Sequence, residues 1–290
     1  MTQNKTKIFV IYHQPGEALN SEIFQSICVG PKKDDFSQDF LRDDVGENIA
    51  EKNKNYNELT AIFWVFRHIN EFPDTQYFGF CHYRRLFCFE GLKRGAYVKK
   101  DIQPKLTGIT NSKLEELFKD YDFIVPTPSK YKSVKQHFEK SHNKEDLPKL
   151  LKSIEKVAPE YLESANEYLD NKLEYLYNMF VFDKNTFIAY SNFIFKVIED
   201  FLKDGNEDQR LYVSERLTGI FIWDLIKKGK LPLCLPILHI RSKSLKIAIR
   251  QVKKNFKENT DHGFIYKIKP LILCLLPRHL EQWFRRRKTK

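Results

Sequence analysis

Four consecutive residues, His82, Tyr83, Arg84 and Arg85, end the apolar run QYFGFCH and stand between Phe78, Phe80 and Leu86, Phe87. An arginine fork grips phosphate through paired hydrogen bonds, and a diphosphate leaving group needs its developing charge neutralised. The same two arginines could also sit solvated at a strand end, paired with structural carboxylates. His82 has three roles open to it: metal ligand, donor to a phosphate, or cap for a buried hydrogen bond. It is the one metal candidate in the chain. Two other polar clusters follow apolar runs directly, His13-Gln14-Pro15-Gly16 and Gly30-Pro31.

Carboxylates and amides form a second set. The stretch DDVGENIAEKNKNYNELT (43–60) carries Asp44, Asn48, Asn53 and Glu58, with four asparagines in all. Asn and Asp there build turns and caps, yet a polar loop entering a helix also holds phosphates and sugar hydroxyls. Asn178, inside the apolar run YNMFVF, reads equally as a satisfied core amide or a ligand contact. Glu215, beside Arg216 in SERLTGIFIW, favours the dipole at a helix start. Its functional alternative is a general base, or a carboxylate that hydrogen-bonds a sugar. No Walker A loop, GxGxxG, GxSxG, HExxH or EF-hand spacing is present, nor an acidic DxD pair after a strand.

These residues need elements to bring them together. KIFVIYH (7–13), SICVG (26–30), QYFGFCH (76–82), YDFIVP (121–126) and YNMFVF (177–182) read as short buried strands. Residues 31–54 read as a loop, and Asn55 with Glu58 as the cap of a helix carrying Leu59, Ile62, Phe63, Phe66 and Ile69 on one face. Helices are predicted across 130–176, over 184–203 and near 214–228, before the apolar run PLCLPILHI (232–240). Alternating strands and helices predict an α/β fold with a mostly parallel sheet covered on both faces. Ligands of such sheets collect at the carboxyl ends of the strands.

At 290 residues with 42% apolar content, the chain has ample material for a core. Five scattered cysteines without a CxxC pair point to a reducing compartment. No leader-like or membrane-spanning run is evident, so a cytoplasmic location is expected. The net charge is +11, but residues 241–290 hold 15 Lys/Arg against 3 Asp/Glu, and the first 240 residues hold 34 against 35. The basicity is therefore a device of the C-terminal region. Leu245, Ile249, Val252 and Phe256 share one helical face there, and Leu280, Trp283 and Phe284 another beside three arginines. The division expected is a domain over 1–240 and a basic amphipathic region over 241–290.

Read in order, DDVGENIAEKNKNYNELTAIFWVFRHI, GFCHYRRLF, KSHNKEDL, APEYLESANEYL, LEYLYNMFVFDKNTF and VSERLTGIFIW resemble the DUF4422 family of capsular-polysaccharide glycosyltransferases. The resemblance spans about residues 6–225. It implies a GT-A-like, Rossmann-type fold and transfer of a hexose, galactofuranose or galactose, from a UDP-sugar in bacterial capsule, exopolysaccharide or lipopolysaccharide assembly. It further implies a polyprenyl-linked glycan acceptor and leaves a divalent cation, Mn or Mg, open. Carried onto this chain, the family's signature falls on His13, Asp44, Gly46, Asn48, Asn53, Glu58, Thr60, His82, Tyr83, Arg84, Arg85, His142, Asn178, Glu215 and Arg216. Leu86 and Ala50 depart from the family's usual aromatic and serine.

On that basis the donor is expected on His13, Gly30, Asn48, Asn53, Glu58 and His82 to Arg85, with Arg84 or Arg85 neutralising the diphosphate. Glu215, with Asp44 behind it, is the expected base, and His142, Asn178 and Arg216 are expected at the acceptor or sugar. Residues 241–290 are expected to place the protein on the anionic inner face of the cytoplasmic membrane. The rival class is a non-enzymatic binder of nucleic acid or surface polymer using the basic tail. Terminal charge beside an apolar stretch favours the membrane over nucleic acid.

Overall fold

The computed structural model of the chain describes residues 5–89, 96–98, 109–203 and 211–240. In order, its strands are β1 (Lys5–Tyr12), β2 (Phe24–Cys28), β3 (Leu41–Arg42), β4 (Thr75–His82), β5 (Arg85–Phe87), β6 (Ala96–Val98), β7 (Phe123–Pro126), β8 (Ser129–Lys130), β9 (Leu173–Glu174), β10 (Phe180–Asp183), β11 (Pro232–Leu235) and β12 (Ile237–Ile240). The principal sheet runs β11-β7-β10-β4-β1-β2-β3, with β5, β6 and β12 joined at its side. β1 pairs parallel with β2 and with β4, β2 with β3, and β7 with β11. Only β10 along that path runs antiparallel, inserted between β4 and β7. The expected mostly parallel α/β fold is present.

Strand periodicity of two divides the sheet into two buried faces. Phe9, Ile11, Phe78, Phe80, Phe180 and Phe182 fall in one core cluster, and Ile8, Val10, Tyr12, Cys81 and Val181 in the other. The first face carries an aromatic stack in which Phe180 lies 4.2 Å from Phe182 and 5.4 Å from Phe80. Each such fully buried Phe contributes roughly 2–3 kcal/mol of burial free energy.

The helices are α1 (Asn53–Tyr56), α2 (Leu59–Arg67), α3 (Asn111–Asp120), α4 (Val134–Glu139), α5 (Asp146–Val157), α6 (Leu162–Asp170), α7 (Lys184–Lys203) and α8 (Ser214–Lys227). Leu59 and Val65 of α2, Phe187 and Ile194 of α7, and Leu217 and Phe221 of α8 all bury into the first face. Leu114 of α3 covers the second. α6 and α8 approach closely at Gly219, where an added Cβ would run into the hydroxyl and ring of the fully buried Tyr168.

Three local expectations need correction. Asn55 does not cap a long helix: it lies inside the four-residue α1, and Asn57, at φ 50°, ψ −125°, breaks the chain before α2 begins at Leu59. The stretch 130–176 holds three helices but also the β8–β9 ribbon. The run 232–240 is two strands divided at Pro236, one parallel to β7 and the other antiparallel to β5. Among the described residues no helix is long and apolar enough to cross a membrane. The basic region 241–290 and the boundary drawn at 240 lie outside the described residues.

Candidate active site

One edge of the sheet gathers every polar cluster singled out in the sequence except those of α4 and its neighbours. The carboxyl ends of β1, β2, β3 and β4 deliver His13, Gly30, Asp44 and His82. Because β10 is antiparallel, its amino end points the same way and delivers Tyr177 and Asn178. α2 and α8 also begin here, with Glu58 at the N-cap of α2 and Glu215 in the first turn of α8. Together they enclose a cavity of about 1140 Å³, lined by His13, Gly30, Lys33, Asp44, Asn48, Asn53, Lys54, Asn57, Glu58, His82, Arg85, Tyr177 and Glu215, among others.

His82 is committed to the backbone. Its Nε2 lies 2.7 Å from the Tyr177 carbonyl oxygen. Burial pushes its pKa down to about 4, so the ring is neutral and Nε2–H donates. This is the hydrogen-bond cap among the three roles open in the sequence, and it places His82 at the cavity wall without making it a metal ligand. The bond fastens a strained turn, since Tyr177 and Asn178 carry φ of 80° and 48°. A left-handed conformation costs roughly 1–2 kcal/mol for a residue such as Tyr177, whereas asparagine adopts it more readily.

Asn178 is 1% exposed and stands behind the wall. Its amide donates to Glu58 Oε1 at 2.9 Å and to Ser214 Oγ at 3.0 Å, and its oxygen accepts from Thr218 Oγ1 at 2.6 Å. Its side chain is thus a satisfied core amide that fixes Glu58 and the head of α8. Burial raises the pKa of Glu58 and also that of Glu215. Two carboxylates with enhanced proton affinity therefore face the same space.

Asp44 is in the opposite condition. Arg42 binds it through Nε at 3.1 Å and Nη2 at 2.9 Å, and Lys33 Nζ lies 3.5 Å away. The hydrogen bonds from Arg42 hold its pKa below the usual carboxylate value, which makes it a weak base. Lys33 also pairs at 2.9 Å with Asp43, whose side chain is wholly buried.

The two arginines part company. Arg85 lines the cavity with its guanidinium 4.5 Å from the centre of the Tyr177 ring. Arg84 is exposed in the turn and lies over Tyr83 at 5.2 Å. Tyr83 stacks on Tyr12 and reaches His13 Nε2 at 3.5 Å, forming a rim outside the lining set.

Asn48 and Asn53 line the cavity but spend amide groups on the loop itself. Asn48 donates to the Gly46 carbonyl, and Asn53 to the Asn57 carbonyl and to Thr60 Oγ1. Gly30, at φ 87°, leaves room where a Cβ would come within 3.1 Å of Asn53 Oδ1.

His142 and Arg216 lie outside the lining. His142 stacks on Tyr212 at 4.3 Å, and Arg216 is buried between Glu174 and Glu215. Sequence reading missed Lys33, Lys54, Asn57 and the ring of Tyr177. Lys33, three residues beyond Gly30, was accessible by extending that strand-end cluster; Asn57 and Tyr177 gave no signal, because backbone strain leaves none in residue type.

An α/β sheet with a charged cavity at its carboxyl edge defines the class of protein. The chain belongs to the DUF4422 family, described as a domain of unknown function, whose model matches residues 7–226. Its fold matches the apo structure of WbbM, described as a bifunctional glycosyltransferase, with a TM-score of 0.72 and 26% identity over 83% of this chain. The chain spans 46% of the length of that neighbour. A comparison with curated proteins finds no significant match.

Proposed function

We propose that the chain is a glycosyltransferase that moves a hexose, galactofuranose or galactose, from a UDP-sugar to a polyprenyl-linked oligosaccharide in bacterial capsule, exopolysaccharide or lipopolysaccharide assembly. A GT-A-like domain over 1–240 would perform the transfer. The observation that carries this reading is the convergence of Arg85, Lys33, Glu58 and Glu215 on one cavity, in a chain 26% identical to part of a bifunctional glycosyltransferase.

The open backbone at Gly30 lets a donor approach closely, and Arg85 neutralises charge developing on the leaving diphosphate. Glu215, its proton affinity raised by burial, takes the proton of the acceptor hydroxyl. Glu58 is braced by Asn178 to hold sugar hydroxyls. Asp44, drawn off by Arg42, keeps Lys33 at the cavity instead of acting as a base. His13 lines the donor site, Tyr83 and Arg84 form its outer rim, and His142 with Tyr212 offers a ring surface to an acceptor sugar.

A divalent cation does not fit the donor set as arranged. Among the described residues no three His, Cys, Asp or Glu side chains gather to hold one. Asp43 and Asp44 already have cationic partners, and His82 is bonded to Tyr177. No step here is routed through a metal.

Calorimetry of UDP binding with manganese and then with EDTA tests the reading. Micromolar binding that survives EDTA is expected, and absence of binding in both conditions would sink the UDP-sugar assignment. The region 241–290 is proposed to hold the enzyme on the anionic inner leaflet, each Lys or Arg near the surface contributing roughly 1 kcal/mol. Deleting it should abolish co-sedimentation with anionic liposomes; undiminished sedimentation removes the anchor.

A further inference from the structure

Behind the cavity wall, four charged or ionisable side chains stand in line. His137 Nδ1 lies 2.5 Å from Glu174 Oε2, and Glu174 Oε1 lies 3.1 Å from Arg216 Nη2. The same Arg216 nitrogen lies 2.7 Å from Glu215 Oε2. Exposure falls from 25% at His137 to 0% at Glu174 and 3% at Arg216, then rises to 31% at Glu215 on the cavity. The line thus passes through the protein, from its surface beside α4 to the cavity.

A carboxylate taken wholly out of water is costly unless paired, and none of the donor or acceptor chemistry above uses Glu174. We propose that Glu174 is a positioning residue for the transfer: by sharing Arg216 with Glu215, it holds the Glu215 carboxylate at the cavity wall ready to accept a proton. This rests on the reading of Glu215 as the base.

The physical reason is the division of one cation between two anions. A guanidinium given over to a single carboxylate stabilises its ionised form and weakens it as a base. Glu174 takes part of that attraction, and His137 steadies Glu174 from the far side. Arg216 is further fixed by lying over the Phe138 ring at 5.4 Å.

The groups facing Glu215 come from four elements: Arg216 from its own helix, Glu174 from β9, Glu58 from the head of α2 and His82 from β4. Burial is the largest influence raising the Glu215 pKa. Glu58 and Glu174 raise it further, while Arg216 and His82 lower it.

The test is the isosteric Glu174→Gln variant. The Glu215 carboxyl is titrated by NMR with 13C-labelled glutamate, assigned by its loss in Glu215→Gln. The pH dependence of turnover is measured in parallel with UDP-galactose. Glu174→Gln should lower the Glu215 midpoint by about one unit, a tenfold weaker base. The acid limb of kcat should move down with it, while KM for UDP-galactose stays unchanged. His137→Phe keeps the ring stacked 3.7 Å from Tyr131 but removes the donor to Glu174. Glu174 then leans on Arg216 alone, and the Glu215 midpoint should rise.

A Glu215 midpoint unmoved in Glu174→Gln overturns the inference and leaves the proposed activity standing. A midpoint that moves while the rate profile does not retires Glu215 as the base, and with it the role of Glu174 in transfer. Should Glu174→Gln fail to fold, the sign of the His137→Phe shift decides: upward supports the sharing of Arg216, unchanged or downward overturns it.

Discussion

Arg84 and Arg85 are adjacent in sequence, but strand pairing assigns them different surroundings. Arg85 opens β5 directly opposite His82 of β4, and residues opposed across an antiparallel pair share a face. His82 faces the cavity, so Arg85 does too, while Arg84 is left in the exposed turn. Replacing Arg85 by Ala should weaken UDP binding by roughly 1.5–3 kcal/mol, some ten- to hundredfold, as loss of a charged hydrogen bond predicts. Arg84→Ala should stay within about threefold, the scale of an exposed charge. Calorimetry on both variants checks the pair, and equal losses would refute the distinction. The box itself was legible in the sequence because two arginines after a buried strand are anomalous. Which arginine faces inward was not, since that depends on a hairpin register that a three-residue strand hardly announces.

At the scale of elements, the long helices and central strands were legible wherever their periodicity ran for more than a few residues, as in α7 and β1. The segment 53–67 was not. Its apolar spacing continues across Asn57 as though one helix were intact, while the backbone there turns to φ 50°. That break frees the amino end of α2 to present Glu58 to the cavity, and residue type records none of it.

Close packing of α6 on α8 was equally invisible, because Gly219 reads in sequence only as a weak helix former. Gly219→Ala would press a methyl group against the Tyr168 hydroxyl, which accepts the Tyr175 N–H at 3.0 Å just beyond β9. Overpacking of this kind costs about 3 kcal/mol, or a fall of roughly 6–12 °C in Tm for a domain of this size. Thermal denaturation measures it, and a Tm unchanged within a degree would show that the helices can separate freely.

For the molecule as a whole, the cavity makes stability depend on pH in two opposing ways. His82 has its folded pKa pushed down to about 4 from 6.5, so the unfolded chain binds more protons between those values. Its contribution is therefore intact above the unfolded pKa and drains away as pH falls towards the folded one. Between pH 7 and 5 this amounts to roughly 2 kcal/mol. Glu58 and Glu215 have raised folded pKa values, so the cost of burying their charge is relieved as pH falls. Denaturant titrations of His82→Gln and Glu58→Gln separate the two. Relative to wild type, His82→Gln should gain stability from pH 7 to pH 5 and Glu58→Gln should lose it. A parallel response of the two variants would contradict the assignment of either group.

The insertion of β10 between β4 and β7 also has a bearing on how the chain is made. Phe80 lies opposite Phe180 in the finished sheet, so the inner edge of β4 waits for a strand synthesised a whole helical region later. Until then, a nascent chain carries the β1–β2–β4 half with an open, Phe-rich edge of the kind that recruits other strands. Closure of so long a loop is slow compared with local helix formation. Residues 180–183 are consequently the latch of the fold: a chain stalled before them on the ribosome holds the β1–β2–β4 floor of the cavity without its far wall, and leaves that edge of β4 unpaired.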